Sequence, residues 1–165
     1  MNFPLKPMSK SGIPAALLKA ERYRLLNDPE PAESICHDIL AVDPENQAAL
    51  KSLLLTLSDQ FASEHSQSRA KEARDCAARL ESEYERAYYT GVVFEREARA
   101  LLARSMLARR NAYGVFRHAM DWYEKAETLR TPGNDDAILR WNSCVRTIDR
   151  EHLEPEAAER DLPLE

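Results

Sequence analysis

Residues Tyr123 to Trp141 read YEKAETLRTPGNDDAILRW, and this stretch decides the predicted fold. Its first half consists of helix-forming residues and stops at Pro132 and Gly133, which interrupt a helix. A second helix is predicted to begin at Asn134 or the residue after it, because Asn and Asp favour helix N-termini. The stretch is therefore interpreted as a sharp joint between two helices.

The composition extends this helical interpretation to the whole chain. The 165 residues are 44% hydrophobic and 31% charged, which fits one globular domain with a core of its own. Only four are glycine, and Ala, Leu, Glu and Arg dominate, so the predicted class is all-α. The net charge of -5 argues against a nucleic-acid partner, because nucleic-acid-binding proteins are usually basic.

The cysteines and the N-terminus bear on the cellular compartment. Cys36, Cys76 and Cys144 are too widely spaced for a disulfide framework or a CxxC metal pair, and they predict buried, reduced thiols. No apolar run approaches the roughly 18 residues of a membrane span. The N-terminal sequence MNFPLKPMSKSGIP lacks the apolar core of a signal peptide. A cytoplasmic location without a membrane partner is predicted.

Hydrophobic spacing predicts seven helices and no strands. They cover residues 15–26, 31–42 and 45–61, a fourth around 70–80, a long fifth over 84–107, a sixth around 113–126, and a seventh after 134. Residues 1–14 are predicted to be a flexible arm, because they contain three prolines. Residues 15–152 are predicted to form one helical domain, and residues 153–165 are predicted to be an acidic, proline-containing tail.

The helix joint recurs, and with it a pattern of small and aromatic residues. Residues 31–50, PAESICHDILAVDPENQAAL, follow the same plan of helix, proline joint, Asn and new helix. The pattern appears as Ala20, Tyr23, Ala32 and Pro44, then Gly91 and Phe94, then Ala119, Tyr123, Ala126 and Pro132. These residues make the chain resemble the tetratricopeptide repeat family. The resemblance implies an α-solenoid of about three helix pairs with a C-terminal capping helix.

One departure from that family predicts an elongated third hairpin. Pro44 and Pro132 are 88 residues apart, whereas two repeats span roughly 68. The additional residues fall mostly in the fifth and sixth helices, which are therefore expected to project beyond the others.

No catalytic or metal-binding motif is present in the sequence. The four histidines are far apart, and no HExxH, P-loop, GxSxG or GxGxxG sequence occurs. Glu95 and Glu97 could in principle serve as an acid and base, but residues two apart on a helix diverge, so both are interpreted as solvated charges. A protein without enzymatic activity, cofactor or metal is predicted.

The aromatic residues are interpreted as core, with a stacking platform as the alternative. Trp122 is the exception, because its neighbour Tyr123 lies on the buried face of the same helix. It is interpreted as a contact between repeats or as an exposed anchor.

A second candidate surface is the predicted tip of the long hairpin. Between Ala98 and Met120 lie five of the chain's 23 basic residues and none of its 28 acidic ones. These basic residues are Arg99, Arg104, Arg109, Arg110 and Arg117. One interpretation is that they complement a helix C-terminus, and the other is that they bind an acidic peptide or a phosphate.

The resemblance also implies a concave groove that holds a peptide and is lined by the first helix of each pair. The groove residues implied by the repeat spacing are Leu17, Glu21, Arg24, Lys51, Leu55, Asp59, Tyr88, Val92, Glu95, Arg96, Leu139, Ser143 and Arg146. The Lys-and-Asn pattern with which some family members clamp a terminal carboxylate is not visible. The predicted function is that of a scaffold binding a protein or peptide; the alternative is a helical element that self-associates into a homodimer through the groove or the hairpin. A third option, which no motif supports, is a small-molecule or metal site between helices.

Overall fold

The computed structural model describes residues 3–63 and 65–156, and within them it is all-helical, with no β-strand. A short 3-10 turn at Lys10–Gly12 precedes the first helix. The α-helices are α1 (Ile13–Leu25), α2 (Pro29–Val42), α3 (Gln47–Ser58), α4 (Ser66–Ala78), α5 (Glu83–Arg104), α6 (Met106–Arg110), α7 (Ala112–Leu129) and α8 (Asp136–Arg150). The all-α prediction is confirmed for the described residues.

The predicted number of helices is wrong by one, because the long hairpin has a helix of its own at its tip. The predicted fifth helix, 84–107, ends at Arg104 instead, since Ser105 has an extended backbone with φ -156° and ψ 163°. The Ser105 side chain then accepts a hydrogen bond from the backbone N–H of Ala108 and caps α6. A single capping serine therefore divides a stretch whose composition is uniformly helical.

The joint between α7 and α8 lies where the sequence predicts it. Gly133 has φ 85°, in the left-handed region that glycine adopts without steric cost. Asn134 accepts a hydrogen bond through Oδ1 from the backbone N–H of Asp136, at 3.2 Å. Arg130 ties the joint together by donating to the carbonyl of Asn134 at 3.1 Å and by pairing with Asp135.

Consecutive helices pack against each other in pairs. The pairs are α1 with α2, α2 with α3, α3 with α4, α4 with α5, α5 with α7, and α7 with α8. The helices α1 and α3 also touch, as do α3 and α5. One core cluster lies among α1–α4 and α5, and a second among α5, α7 and α8. Leu55 of α3 packs against both clusters, so the two cores meet there.

The small residues of the sequence pattern lie at the helix contacts. Ala20, Ala32, Ala119 and Ala126 are fully buried. Gly91 of α5 lies directly beside the ring of Tyr123 on α7, so close that a Cβ on Gly91 would be 2.7 Å from Cε1 of that ring. The missing side chain allows α5 and α7 to approach each other closely.

The two ends of the chain differ from the predicted boundaries. The helical part begins at Ile13, two residues early, because Pro14 is accommodated in the first turn of α1. Met8 of the arm packs against the small cluster of Ile13, Ile39 and Ala49. Residues 1–2 of the predicted arm and 157–165 of the predicted tail lie outside the described residues. None of the described helices combines the length and apolar character needed to cross a membrane.

Candidate functional site

Ion pairs join the helices that carry the predicted groove residues, and we call this side of α1, α3, α5 and α8 the inner face. Asp59, immediately after α3, accepts a hydrogen bond from Arg24 Nε of α1 at 2.8 Å. It also pairs with Arg96 of α5, whose Nη1 lies 3.2 Å from Ser58 Oγ. Lys51 of α3 pairs with Glu85 of α5 at 2.8 Å. Three predicted groove residues thus meet at one point although they come from different helices.

A buried carboxylate forms the second centre of the inner face. Glu95 of α5 is only 2% exposed, so its interpretation as a solvated charge is wrong. Its Oε2 accepts a hydrogen bond from the Tyr123 hydroxyl at 2.6 Å. Arg99 Nε donates to Oε1 at 2.9 Å, and Arg140 Nη1 of α8 donates to Oε2 at 3.4 Å. Burial of a carboxylate is tolerated because two guanidinium groups and a hydroxyl surround it.

Arg99 extends this network across the interface between α5 and α8. Its Nη2 lies 3.0 Å from Ser143 Oγ, and its Nη1 lies 3.2 Å from Thr147 Oγ1. Arg99, which the sequence assigns to the basic tip, therefore belongs to the inner face. Ser143, which the sequence assigns to the groove, is its partner.

Burial and the charge of Glu95 determine the protonation states of the titratable groups around it, Tyr123, Arg140 and Cys144. Burial and the nearby charge of Glu95 raise the pKa of Tyr123, which keeps its hydroxyl a donor. Burial alone would lower the pKa of Arg140, but its hydrogen bond with Tyr88 and the charge of Glu95 outweigh burial and raise it. Burial and Glu95 also raise the pKa of Cys144 to about 12. That cysteine is a neutral thiol and not a reactive thiolate at neutral pH.

The predicted groove residues divide into exposed and covered ones. Leu139 of α8 is 62% exposed, and Glu21, Asp59 and Arg146 are also exposed. Half-buried members are Leu17, Arg24, Lys51, Leu55, Tyr88, Arg96 and Ser143. Val92 and Glu95 are buried, so a partner on the inner face would not touch either of them.

Sequence reasoning missed Arg140. The groove positions on α8 follow the stripe of Leu139, Ser143 and Arg146, and Arg140 lies beside that stripe, turned toward α5. Its contact with Glu95 spans 45 residues. The only local signal was the i, i+4 spacing of Glu95 and Arg99, which marks Glu95 as a paired carboxylate.

The tyrosines of α5 pack against one another and form no open platform. Tyr84 and Tyr88 stack at 5.8 Å between ring centroids, and Tyr88 meets Tyr89 edge-on at 5.1 Å. Tyr88 also lies 6.0 Å from the ring of Tyr123. All three are half-buried, which agrees with their interpretation as core-associated residues.

The predicted basic tip is largely bound to its own chain. Arg104 Nη2 donates to the carbonyl of Phe61, after α3, at 2.7 Å. Arg109 Nη2 donates to Glu151 Oε2 at 2.7 Å, and this bond is the main reason that the pKa of Glu151 is lowered. Arg117 pairs with Asp121 at 3.5 Å. Arg110 is exposed at the end of α6. The five arginines therefore do not form a single open site.

The comparisons with known proteins do not assign the chain to a family. No protein-family model, curated protein or solved structure matches it. Within residues 3–63 and 65–156, no group of three or more His, Cys, Asp or Glu side chains is arranged to hold a metal ion. The resemblance to tetratricopeptide repeats therefore rests on the residues quoted above.

Proposed function

We propose that this chain is a non-enzymatic, cytoplasmic scaffold with a tetratricopeptide-like arrangement, which binds an acidic peptide segment of a partner protein on its inner face. The helix pairs would be α1–α2, α3–α4 and α5–α7, with α8 as the capping helix. The contacts of α1 with α3 and of α3 with α5 support this assignment, since first helices of successive repeats stack on each other.

The proposal depends on two arginines, Arg96 and Arg140, whose side chains are held by ion pairs and are still partly exposed to solvent. Arg96 is fixed by Asp59 and Ser58, yet 25% of its side chain is exposed. Arg140 is fixed by Glu95, and 35% of its side chain is exposed. Each contact uses only some of the five N–H groups of a guanidinium. A guanidinium that is already positioned loses little side-chain entropy when it binds a carboxylate.

The charge and exposure around these residues favour an acidic partner with an apolar anchor. Five arginines and Lys51 lie in this region with four carboxylates, Glu21, Asp59, Glu85 and Glu95, so the region has a small positive excess although the whole chain carries a net charge of -5. The arginines are Arg24, Arg96, Arg99, Arg140 and Arg146. Exposed Leu139 supplies the apolar contact. Complementary charge of this kind gives specificity and a fast association rate.

The replacement Arg140→Glu tests this function, and its urea unfolding curve must show that the variant is folded at the assay temperature, because Arg140 also pairs with buried Glu95. With an unlabelled peptide rich in Glu and Leu, we expect the wild-type chain to bind and Arg140→Glu to raise the Kd at least about tenfold, because a cation facing the peptide becomes an anion. Isothermal titration calorimetry measures the Kd. Binding should weaken as salt rises, since screening reduces the attraction between charges.

Arg22→Glu is the matched control, because Arg22 is an exposed residue on the side of α1 away from Arg24 and carries the same change in charge. It should leave the Kd within about twofold. A peptide with Lys in place of every Glu should not bind. Equal binding of the two peptides, or equal Kd values for both variants, would contradict the proposed function.

The alternative function, self-association through the hairpin, is favoured by a different observation. Met106 and Leu107 at the tip are 80% and 74% exposed, and contiguous exposed apolar surface can mark an interaction site. Burying them against a second copy would remove this surface from water.

Replacing Met106 and Leu107 together by Gln tests self-association. If the tip joins two copies, sedimentation equilibrium should show a dimer for the wild type and a monomer for the double variant, because the apolar contact is lost. Leu18→Gln is the control, since Leu18 is 70% exposed on α1, far from the tip in the chain. A wild-type monomer at high concentration, or a dimer that persists in the double variant, would reject the tip as the interface.

A further inference from the structure

A cleft lies away from the inner face, among α4, α5 and α7. Its volume is about 380 Å³, within the range of small-molecule sites. It is lined by Arg74, Ala78, Glu83, Arg86, Ala87, Thr90, Trp122 and Lys125. None of these residues takes part in the Asp59 or Glu95 networks, so the proposed function leaves the cleft without a role.

The cleft exists because α4 and α7 both pack on α5 but are not themselves a packed pair. Two of the lining residues are small, Ala78 of α4 and Ala87 of α5, and they leave space that larger side chains would fill. Trp122 forms one wall from α7. From the sequence, Trp122 is interpreted as a contact between repeats or as an exposed anchor. In the structure its indole is half-buried and borders the cleft.

The positive side chains around this space are held in place. Lys125 Nζ lies 5.2 Å from the centroid of the Trp122 ring. Arg74 is fixed by an ion pair with Glu97 at 2.9 Å, and Arg86 Nη1 donates to the carbonyls of Leu80 and Glu81 at 2.7 and 2.8 Å.

The charged residues of the lining indicate the sign of the charge on a ligand that the cleft would favour. The charge of Arg74 is compensated by Glu97, which leaves Arg86 and Lys125 with one carboxylate of the lining, Glu83, and this single positive excess favours an anion. The indole of Trp122 and the methyl groups of Ala78 and Ala87 favour a flat apolar body.

We propose that this cleft binds a small aromatic carboxylate, with the ring beside Trp122 and the carboxylate near Lys125. The ring would bury apolar surface against the indole and the alanine methyl groups. The carboxylate would pair with the ammonium of Lys125, and Arg86 lies in the same lining. The inference is independent of the peptide-binding function, because the two surfaces share no residue.

Isothermal titration calorimetry of the full chain with 2-naphthoate tests the proposal. We expect a Kd below about 1 mM, which is reasonable for a ligand of this size. The neutral analogue 2-naphthalenemethanol should bind at least about tenfold more weakly, because it lacks the charge. Lys125→Gln should weaken 2-naphthoate binding about three- to tenfold, and Trp122→Ala at least about tenfold.

Two further variants separate loss of the site from loss of the fold. Ala78→Leu fills the cleft from an exposed position of α4 and should abolish binding without disturbing the core. Ala103→Leu, at an exposed position of α5, makes the same change outside the cleft and should bind normally. Arg140→Gln, on the inner face, should also bind normally. Absence of 2-naphthoate binding, equal binding of the neutral analogue, or full binding by Ala78→Leu would overturn the proposal.

Discussion

Replacing Glu95 with Gln is expected to lower the free energy of unfolding by about 3 kcal/mol. The change keeps the size of the side chain but removes the charge on which Arg99 and Arg140 converge. Breaking a buried ion pair typically costs about 3–5 kcal/mol, because the remaining charge is left without its partner. We expect the lower end, since the two arginine side chains are 38% and 35% exposed and water can partly solvate them.

Urea unfolding measures this loss, and Glu97→Gln is the control. Glu97 lies two residues away on the same helix and pairs with Arg74, but its side chain is 31% exposed. Its replacement should cost under about 1 kcal/mol, because exposed pairs contribute little. If the two variants unfold at the same urea concentration, Glu95 is not the centre of a buried network.

The Tyr123→Phe variant tests the same network from its other side. Removing the hydroxyl from a buried hydrogen bond of 2.6 Å should cost about 1–3 kcal/mol in the wild type. In the Glu95→Gln background the cost should be smaller, because the charged acceptor is already gone. Additive effects would show that the hydroxyl and the carboxylate do not interact.

The features that the sequence predicted correctly depend on local chemistry. The joint at Pro132 and Gly133 is one example, because a proline and a glycine with positive φ restrict the backbone wherever they occur. The division at Ser105 was missed because a serine caps a helix only if its own backbone leaves the helical conformation, as that of Ser105 does. The composition around it, with no proline, remains equally compatible with one continuous helix.

The repeat spacing implied by the family resemblance names Arg24, Asp59 and Arg96 among the groove residues, and in the structure these three side chains are in contact. That they line a peptide-binding groove stays a prediction. The burial of Glu95 was not predictable from spacing, because it depends on Tyr123 and Arg140, which are 28 and 45 residues further along the chain. The i, i+4 spacing of Glu95 and Arg99 indicates a paired carboxylate, but it does not show whether the pair lies on the surface or in the interior.

Replacing Gly91 with Ala is expected to destabilise the protein even though alanine is the better helix former. A Cβ at this position would lie 2.7 and 2.8 Å from Cε1 and Cδ1 of Tyr123. The ring cannot easily move away, because it is fully buried and its hydroxyl is bonded to Glu95. Overpacking costs about 1–3 kcal/mol, against a gain of about 0.5–1 kcal/mol from helix propensity. Because the contact is so short, we expect a net loss of about 2 kcal/mol.

Gly114→Ala makes the same change in α7 and should have the opposite sign. A Cβ at Gly114 meets nothing within 4 Å, so only the gain in helix propensity remains, about 0.5 kcal/mol. Equilibrium urea unfolding of both variants measures the change in the free energy of unfolding, which should be negative for Gly91→Ala and positive for Gly114→Ala. In Tyr123→Phe the ring loses its hydrogen bond to Glu95 and can shift, so Gly91→Ala should cost less in that background than in the wild type. A stabilising Gly91→Ala would mean that α5 and α7 are not packed as closely as the Gly91–Tyr123 contact requires.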